Sequence, residues 1–342
     1  TWNRPVGRWT RAKSVLRLLV RYTGRELGHL VRHPRYSFRF LPCSAREFVH
    51  THLRRKIFKL RVHRPRPVNL PAHYRATPPP DDPPTISMVT PNLNQGAYLE
   101  QTIRSVTEQK YPRLEYVVQD GGSTDNSLEI IQRHASSLTR WDSSPDDGQA
   151  HAINRGMKHT TGQIMAFLNS DDELLPGSLA YVARFFQQHP HVDVVYGHRL
   201  LIDEQGREIG RWVLPPHDDQ ILPWADYIPQ ETMFWRRTAW QRVGGGLDET
   251  FHYALDWDLI LRFREAGLRF ERLPRFPGAF RVTDDQKTTQ LVETVGMREM
   301  TRLRQRVLGR VPSPREIRQV IRPYIRRHFL CDTLYTLGLA RY

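Results

Sequence analysis

The chain has 342 residues, 51 Lys and Arg against 36 Asp and Glu, and 39% hydrophobic residues, a composition that fits one large or two modest globular domains. Its two cysteines, Cys43 and Cys331, stand near opposite ends with no Cys-x-x-Cys spacing, so neither a disulfide framework nor a zinc site is indicated, and a reducing cytoplasm fits. No segment approaches the ~20 uninterrupted apolar residues of a membrane span. The chain begins at Thr1 without a Met or a signal-peptide pattern, and we expect the natural N-terminus to lie upstream.

The net charge of +15 is unevenly spread. Residues 1–84 carry 19 basic and 4 acidic side chains, residues 85–290 carry 21 and 28, and residues 291–342 carry 11 and 4. An acidic middle is therefore flanked by two basic arms. Such arms suit phosphate, on nucleic acid or on anionic lipid; the alternative is a surface that only keeps the protein soluble.

Residues 1–84 read as helical pieces broken by loops. Trp9, Leu16, Leu19, Leu27 and Leu30 recur at helical spacing with Arg8, Arg11, Lys13, Arg17, Arg21 and Arg25 between them. This basic amphipathic face suits a membrane surface, an acidic partner or docking on the following domain. A second patch, Arg54-Arg55-Lys56 with Lys59 and Arg61, precedes a Pro-rich run at 78–84 that reads as a stiff linker. A domain boundary is expected near residue 84.

From Thr85 strand and helix signals alternate. Ile86-Ser87-Met88-Val89 is a strand expected to break at Pro91, and residues 98–109 have helical spacing. Tyr116-Val117-Val118 runs into Gln119-Asp120-Gly121-Gly122-Ser123-Thr124-Asp125, followed by a helix at 127–134 and another from near Ala150. The apolar run 164–168 then ends in Asn169-Ser170-Asp171-Asp172. This order implies a mostly parallel sheet flanked by helices, with ligands bound beyond the C-terminal strand ends, where all these polar clusters fall.

Two adjacent carboxylates at a strand end resist joint ionisation unless a cation is bound. Hard oxygen donors favour Mg²⁺ or Mn²⁺, which complete their shells with water and substrate phosphates; a solvated loop with Asn169 or Ser170 capping the next helix is the alternative. The Asp120 turn lacks the Gly-x-Gly-x-x-Gly spacing, which disfavours nicotinamide and flavin chemistry. Its glycines permit a tight turn that leaves Asp120 to accept from a base or sugar, although a plain turn with an N-cap has the same pattern. Asp256-Trp257-Asp258 before Leu259, Leu261 and Phe263 reads, taken alone, as a helix N-terminus with carboxylates facing its dipole. Trp235 and Trp257 read as core, and His151, His159 and His198 form no metal pattern. After residue 289 the chain is helical again, with a break near Pro312 and Pro314, a basic helix at 317–329 and an apolar stretch at 330–339 suited to the main domain or a bilayer.

Together these residues resemble the family 2 glycosyltransferases, which have the GT-A fold. The resemblance runs through Val89-Thr90-Pro91-Asn92-Leu93-Asn94, residues 117–125, Pro145-Asp146-Asp147-Gly148, Ala152-Ile153-Asn154-Arg155-Gly156, Gly162, residues 169–172, residues 243–249 and Asp256-Trp257-Asp258-Leu259. It implies a GT-A domain at 85–290 between a basic helical extension and linker at 1–84 and a basic helical extension at 291–342. It places Thr90, Pro91 and Asp120 about the nucleobase, and Asn94, Gly121, Asp146, Asn154, Asn169, Ser170 and Asp171 among the residues that bind the nucleotide-sugar. Asp171 and Asp172 then hold a divalent metal, Mn²⁺ or Mg²⁺, with the direct ligand left open between them, and Asp256 is the catalytic base. Asn169 stands where the family usually has Asp, Gln119 where an acid is common, Leu255 where many relatives have Glu, and Thr283 where relatives often have His; Arg281 and Lys287 are candidates for a phosphate contact. The Gln-x-x-Arg-Trp signature of processive synthases is missing, which implies transfer of a single sugar.

The function expected is inverting, metal-dependent transfer from a nucleotide-sugar, UDP-linked in the family's commonest form, to a hydroxyl of a glycan or polyprenyl-linked acceptor in bacterial surface polysaccharide synthesis. Its place is the cytoplasm, at an anionic inner membrane face reached by the basic arms. The competing expectation is a non-catalytic nucleotide-binding scaffold, against which Asp171, Asp172 and Asp256 count. Nucleic-acid binding finds no motif in support.

Overall fold

The computed structural model describes residues 62–283 and 292–342. The expected N-terminal amphipathic face, the Arg54-Arg55-Lys56 patch with Lys59 and Arg61, and Lys287 lie outside the described residues.

A seven-stranded sheet has the order β11-β7-β10-β5-β2-β3-β4. Its strands are β2 (Ile86–Asn92), β3 (Leu114–Asp120), β4 (Arg140–Ser143), β5 (Ile164–Phe167), β7 (Val194–Tyr196), β10 (Phe234–Arg236) and β11 (Phe270–Arg272). β2 pairs in parallel with both β3 and β5, and β3 with β4. Every residue of β2 and β5 is buried, as a parallel sheet covered on both faces requires. One face carries Ile86, Met88, Val118 and Leu168 under α1 (Gly96–Thr107), α2 (Ser127–His134) and α4 (Ser178–Gln188). The other carries Val89, Val117, Met165 and Phe167 against α3 (Gln149–Met157), α6 (Leu255–Glu265), α7 (Met297–Leu308) and α8 (Pro314–Thr336). A short helix, α5 (Arg237–Arg242), follows β10 directly.

The parallel register aligns Asn92, Asp120 and Ser143 in one row and brings Phe167 opposite Val89. The C-terminal strand ends thus form one edge. β2 does not break at Pro91, as the sequence suggests, but continues to Asn92. The Val89 carbonyl accepts from Leu168 N–H on the β5 side; Pro91, two residues on, faces the same side after β5 has ended, where its missing N–H costs no ladder bond.

A second sheet, β1-β9-β8-β12-β6, contains β1 (Val62–Arg66), β6 (Glu173–Leu174), β8 (Arg199–Ile202), β9 (Glu208–Trp212) and β12 (Gly278–Arg281). β1 corrects the helix-and-linker reading of residues 62–66. Its edge position tolerates Pro65, and Arg66 and His63 anchor it to the fully buried Glu208, which also pairs with Arg211. The long-range ion pair that holds this strand leaves no periodic trace in sequence.

The basic helix expected at 317–329 and the first part of the apolar stretch after it, to Thr336, are one continuous helix, α8, with Pro314 in its first turn and Pro323 inside. Ile321, Tyr324 and Ile325, with Met300 and Leu303 of α7, lie in the same core as Phe167 and Trp257. Trp235 and Trp257 are fully buried. Among the described residues, no helix is long and apolar enough to cross a membrane.

Candidate active site

The strand-end edge divides into the Asp120 turn and a group of acids. At the turn, Asp120 is fully buried, and its carboxylate accepts from Asn92 Nδ2 (2.6 Å), Ser123 Oγ (2.5 Å), Ser123 N (2.9 Å), Gly122 N (3.2 Å) and Ser143 Oγ (2.6 Å). Burial alone would raise its pKa, but the hydrogen bonds from the two serines and Asn92 outweigh it and hold the carboxyl below its ordinary value. In this conformation Asp120 organises the turn, and contact with a base requires exchange of one of these donors. Asn94, in the left-handed region at φ 51°, closes the same turn from β2: its N–H donates to Ser123 Oγ, and its Oδ1 accepts from Thr124 N. Thr90 is fully buried, its hydroxyl joined to that of Tyr116, and Pro91 is buried beside it.

Gly121 has no side chain because Asp146 stands there: a Cβ would lie 2.7 Å from Asp146 Oδ2. Asp146 itself accepts from Gly148 N at 2.9 Å and remains half-buried. Asn154, expected beside the donor, is bonded to the 243–249 loop. Its amide donates to Leu247 O and Glu249 Oε1 and accepts from Leu247 N, so it pins the 243–249 loop to α3.

Beyond β5, Asn169 Oδ1 accepts from Gln149 Nε2, and the Thr102 hydroxyl bonds the carbonyls of Ser170 and Asp172. Ser170 is buried, Asp171 is half-buried, and Asp172 is 1% exposed with Oδ1 accepting from Arg281 N–H. Arg281, a candidate for a phosphate contact, is fully buried. Its guanidinium donates to the carbonyls of Asp171, Asp203 and Glu204 and to Gln101 and Glu173. It locks the carboxylate loop to the second sheet.

The acids form an electrostatic group that the sequence reading captured only in part. Burial, then the charges of Asp171 and Glu231, push the Asp172 carboxyl well above the usual range. Burial, then Asp256, does the same to Asp226. Burial raises Asp256 to about 6 against the N–H of Trp257, which donates to its Oδ1 at 2.8 Å. The cation they share is Arg199 of β8, bound to Glu231 through Nε–Oε1 at 2.8 Å and Nη2–Oε2 at 2.7 Å, with its guanidinium 4.4 Å from the Phe280 ring centre. Arg199 lowers all three aspartates. Sequence reasoning missed Asp226, Glu231 and Arg199; the available signal was two carboxylates inside the largely apolar run 221–235.

Among the described residues, no group of three or more His, Cys, Asp or Glu side chains is arranged to hold a metal ion. The oxygen donors at Asp171 and Asp172, the second with its carboxyl raised by burial and by the charges of Asp171 and Glu231, fit an ion that takes one protein ligand and completes its shell with water and a substrate's diphosphate.

The model of the family described as "Glycosyl transferase family 2" matches residues 87–254. The chain is 32% identical over 183 residues to the PGL/p-HBAD biosynthesis glycosyltransferase of Mycobacterium bovis, covering 52% of this chain and 69% of that protein. It is 32% identical over 188 residues to the O-antigen biosynthesis protein RfbC of Myxococcus xanthus, covering 54% of this chain and 15% of that one. Among solved structures it resembles S. aureus TarS in complex with UDP-GlcNAc (TM-score 0.55, 19% identity, 72% and 73% of the two chains). It also resembles the mannosyltransferase PcManGT of Pyrobaculum calidifontis in complex with GDP-Man and Mn²⁺ (TM-score 0.54, 20% identity, 78% of each chain). The fold is the GT-A fold of these enzymes, as the sequence led us to expect. With matched motifs on the strand ends and a relative aligned over more than two thirds of its length, the chain belongs to glycosyl transferase family 2 and is a glycosyltransferase.

Proposed function

We propose that this enzyme transfers one sugar, with inversion, from a UDP-linked donor to a hydroxyl of a glycan or lipid-linked acceptor in surface polysaccharide assembly. The observation that carries the reading is Asp256, a half-buried carboxylate raised to about 6 in the same charged group as the Asp171–Asp172 loop. A base poised near neutral pH is what proton removal from a sugar hydroxyl needs. The nucleotide-sugar class is supported by the donors bound to TarS and PcManGT, and the acceptor class by the O-antigen and PGL/p-HBAD relatives.

Asp256 takes the acceptor proton as the acceptor oxygen bonds to the anomeric carbon. The bond from that carbon to the diphosphate breaks on the opposite face, and the nucleoside diphosphate leaves with the electron pair. Arg199 keeps Asp256 ionised in this crowded group, and Arg281 holds the Asp171 loop at the diphosphate. Asp171 is the protein ligand for a divalent metal, with Asp172 behind it; when bound, the metal offsets charge on the departing diphosphate. The Asp120 turn, Asn94 and the Gly121–Asp146 contact wall the nucleoside side, with Thr90 and Pro91 beneath.

The donor site is tested by thermal unfolding with UDP, GDP, dTDP or CMP, each with and without Mn²⁺. UDP with Mn²⁺ should stabilise the protein by about 2.7 kcal/mol at a hundredfold excess over Kd, since a ligand bound only to the folded state raises its stability. No shift with any of the four would sink the reading.

We further place the enzyme on an anionic membrane surface. Arg315, Gln319, Arg322, Arg326 and Leu330 form a stripe at helical spacing on the exposed face of α8, opposite its buried Ile321, Tyr324 and Ile325, and Leu330 is 58% exposed. Each arginine contributes about 1 kcal/mol near such a surface. The full chain should sediment with phosphatidylglycerol vesicles at low salt and less so after Arg315, Arg322 and Arg326 are replaced by Gln. Equal sedimentation with neutral phosphatidylcholine vesicles would contradict the placement.

A further inference from the structure

The turn that delivers Asp256 does not cap itself. α6 starts after Ala254, whose methyl group can accept no hydrogen bond, and the backbone N–H groups of His252, Tyr253 and Ala254 all need an acceptor. Glu299, in the first turn of α7, supplies it from outside the turn. One carboxylate oxygen accepts from His252 N, the other from Tyr253 N and Ala254 N, each at 2.9 Å. Glu299 is 8% exposed, and the neighbouring Met300 is 1% exposed in the core. A buried carboxylate is costly unless donors surround it, and here the three donors are the backbone of the turn leading to the base.

The rest of α7 grips the same region. Arg304 lies 5.2 Å from the Trp257 ring centre and donates to the carbonyl of Trp224, two residues before Asp226. Arg306 pairs with Asp258 at 2.5 Å. Gly296, just before α7, sits against Tyr253, where a Cβ would lie 2.9 Å from the ring. α7 therefore holds the two turns that carry Asp226 and Asp256, although it lies outside the residues that match the family.

We propose that Glu299 is the positioning residue of the base: its carboxylate occupies the three N–H groups of residues 252–254, so that they do not draw the Asp256 carboxylate, which accepts from Trp257 N–H, out of reach of the acceptor hydroxyl. This rests on Asp256 being the base. Without the Glu299 carboxylate, those N–H groups present their positive ends to the nearest anion, and Asp256 follows them within two residues. Removing the Glu299 charge and freeing the N–H groups both favour ionised Asp256, so its titration moves to lower pH. The other groups facing it are Arg199, Glu231, Asp226 and Tyr253, and the substitution leaves them in place.

The test compares full-length wild type with Glu299→Gln and Glu299→Asp. For each, kcat, donor Kd and the pH profile are measured, and the Asp256 carboxyl is titrated by ¹³C NMR, its signal identified by its loss in Asp256→Asn. Glu299→Gln should lower kcat by at least tenfold, leave donor Kd within twofold and move the Asp256 titration to lower pH. Glu299→Asp, which keeps the charge, should recover part of kcat and the wild-type titration. Unchanged kcat and titration would overturn the proposal. So would a parallel fall of kcat, donor affinity and melting temperature, or unfolding of both variants, since each assigns Glu299 to stability alone. The NMR titration is read without turnover: absence of transferase activity in the wild type would count against Asp256 as base, while the effect of Glu299 on that carboxyl would still be decided.

Discussion

Asp256→Asn is expected to lower kcat by about 10²–10⁴-fold, the range a positioned general base contributes, while donor Kd stays within about threefold. Asn has the shape of Asp and can still accept from Trp257 N–H, but it cannot take the acceptor's proton. The wild-type pH profile should carry the same signature. Only ionised Asp256 is active, and its carboxyl is raised to about 6, so kcat/KM should fall about tenfold per pH unit below that value and level off above it. Asn should abolish this limb. Arg199, Glu231, Asp226, Tyr253 and Glu299 face the group, so the apparent value belongs to the set.

Stability provides the control. A carboxyl whose pKa is raised by folding favours the folded state most below its unfolded pKa, and that contribution is lost as pH rises through the folded value. For Asp256 the window runs from about 4 to about 6, and the Asn variant should melt no lower than wild type at pH 8. Loss of donor binding together with turnover, or an acid limb that survives the substitution, would remove Asp256 from the role of base.

The second large effect separates Asp171 from Asp172, a choice that sequence leaves open. Asp172 is buried and engaged by Arg281 N–H, whereas Asp171 is half-buried at the strand end. Asp171→Asn should therefore lose the Mn²⁺-dependent part of nucleotide affinity, about 100-fold or more. Asp172→Asn, acting from behind, should lose about tenfold, in line with the 10–100-fold cost of removing groups that support a ligand. Nucleotide titration with and without Mn²⁺ measures both. Undiminished Mn²⁺ stimulation in Asp171→Asn would reverse the assignment.

Much of this was legible because the signals are local. Fully apolar β2 and β5 announce a covered parallel sheet, and once the strands are parallel their polar C-terminal extensions must share one edge. What the sequence did not show lies in distant partners. Asn154, expected beside a donor, is bonded to a loop more than ninety residues on. Asp120 sits at the expected turn, yet donors from β2, its own turn and β4 converge on its oxygens. Residues 62–66 carry the Pro and Arg of a linker, and a buried Glu208 makes them a strand.

The sequence by itself determined the alternation of β2, α1, β3, α2, α3 and β5, the edge at which these strands end and the carboxylates Asp120, Asp171 and Asp172 on it, because hydrophobic period and turn chemistry are properties of neighbouring residues. Only the tertiary structure decided which of those carboxylates is buried, that Arg199 and Glu231 join them, and that Glu299 binds the turn leading to Asp256. Burial and charge balance depend on groups brought together from far along the chain, and no local pattern encodes those distances.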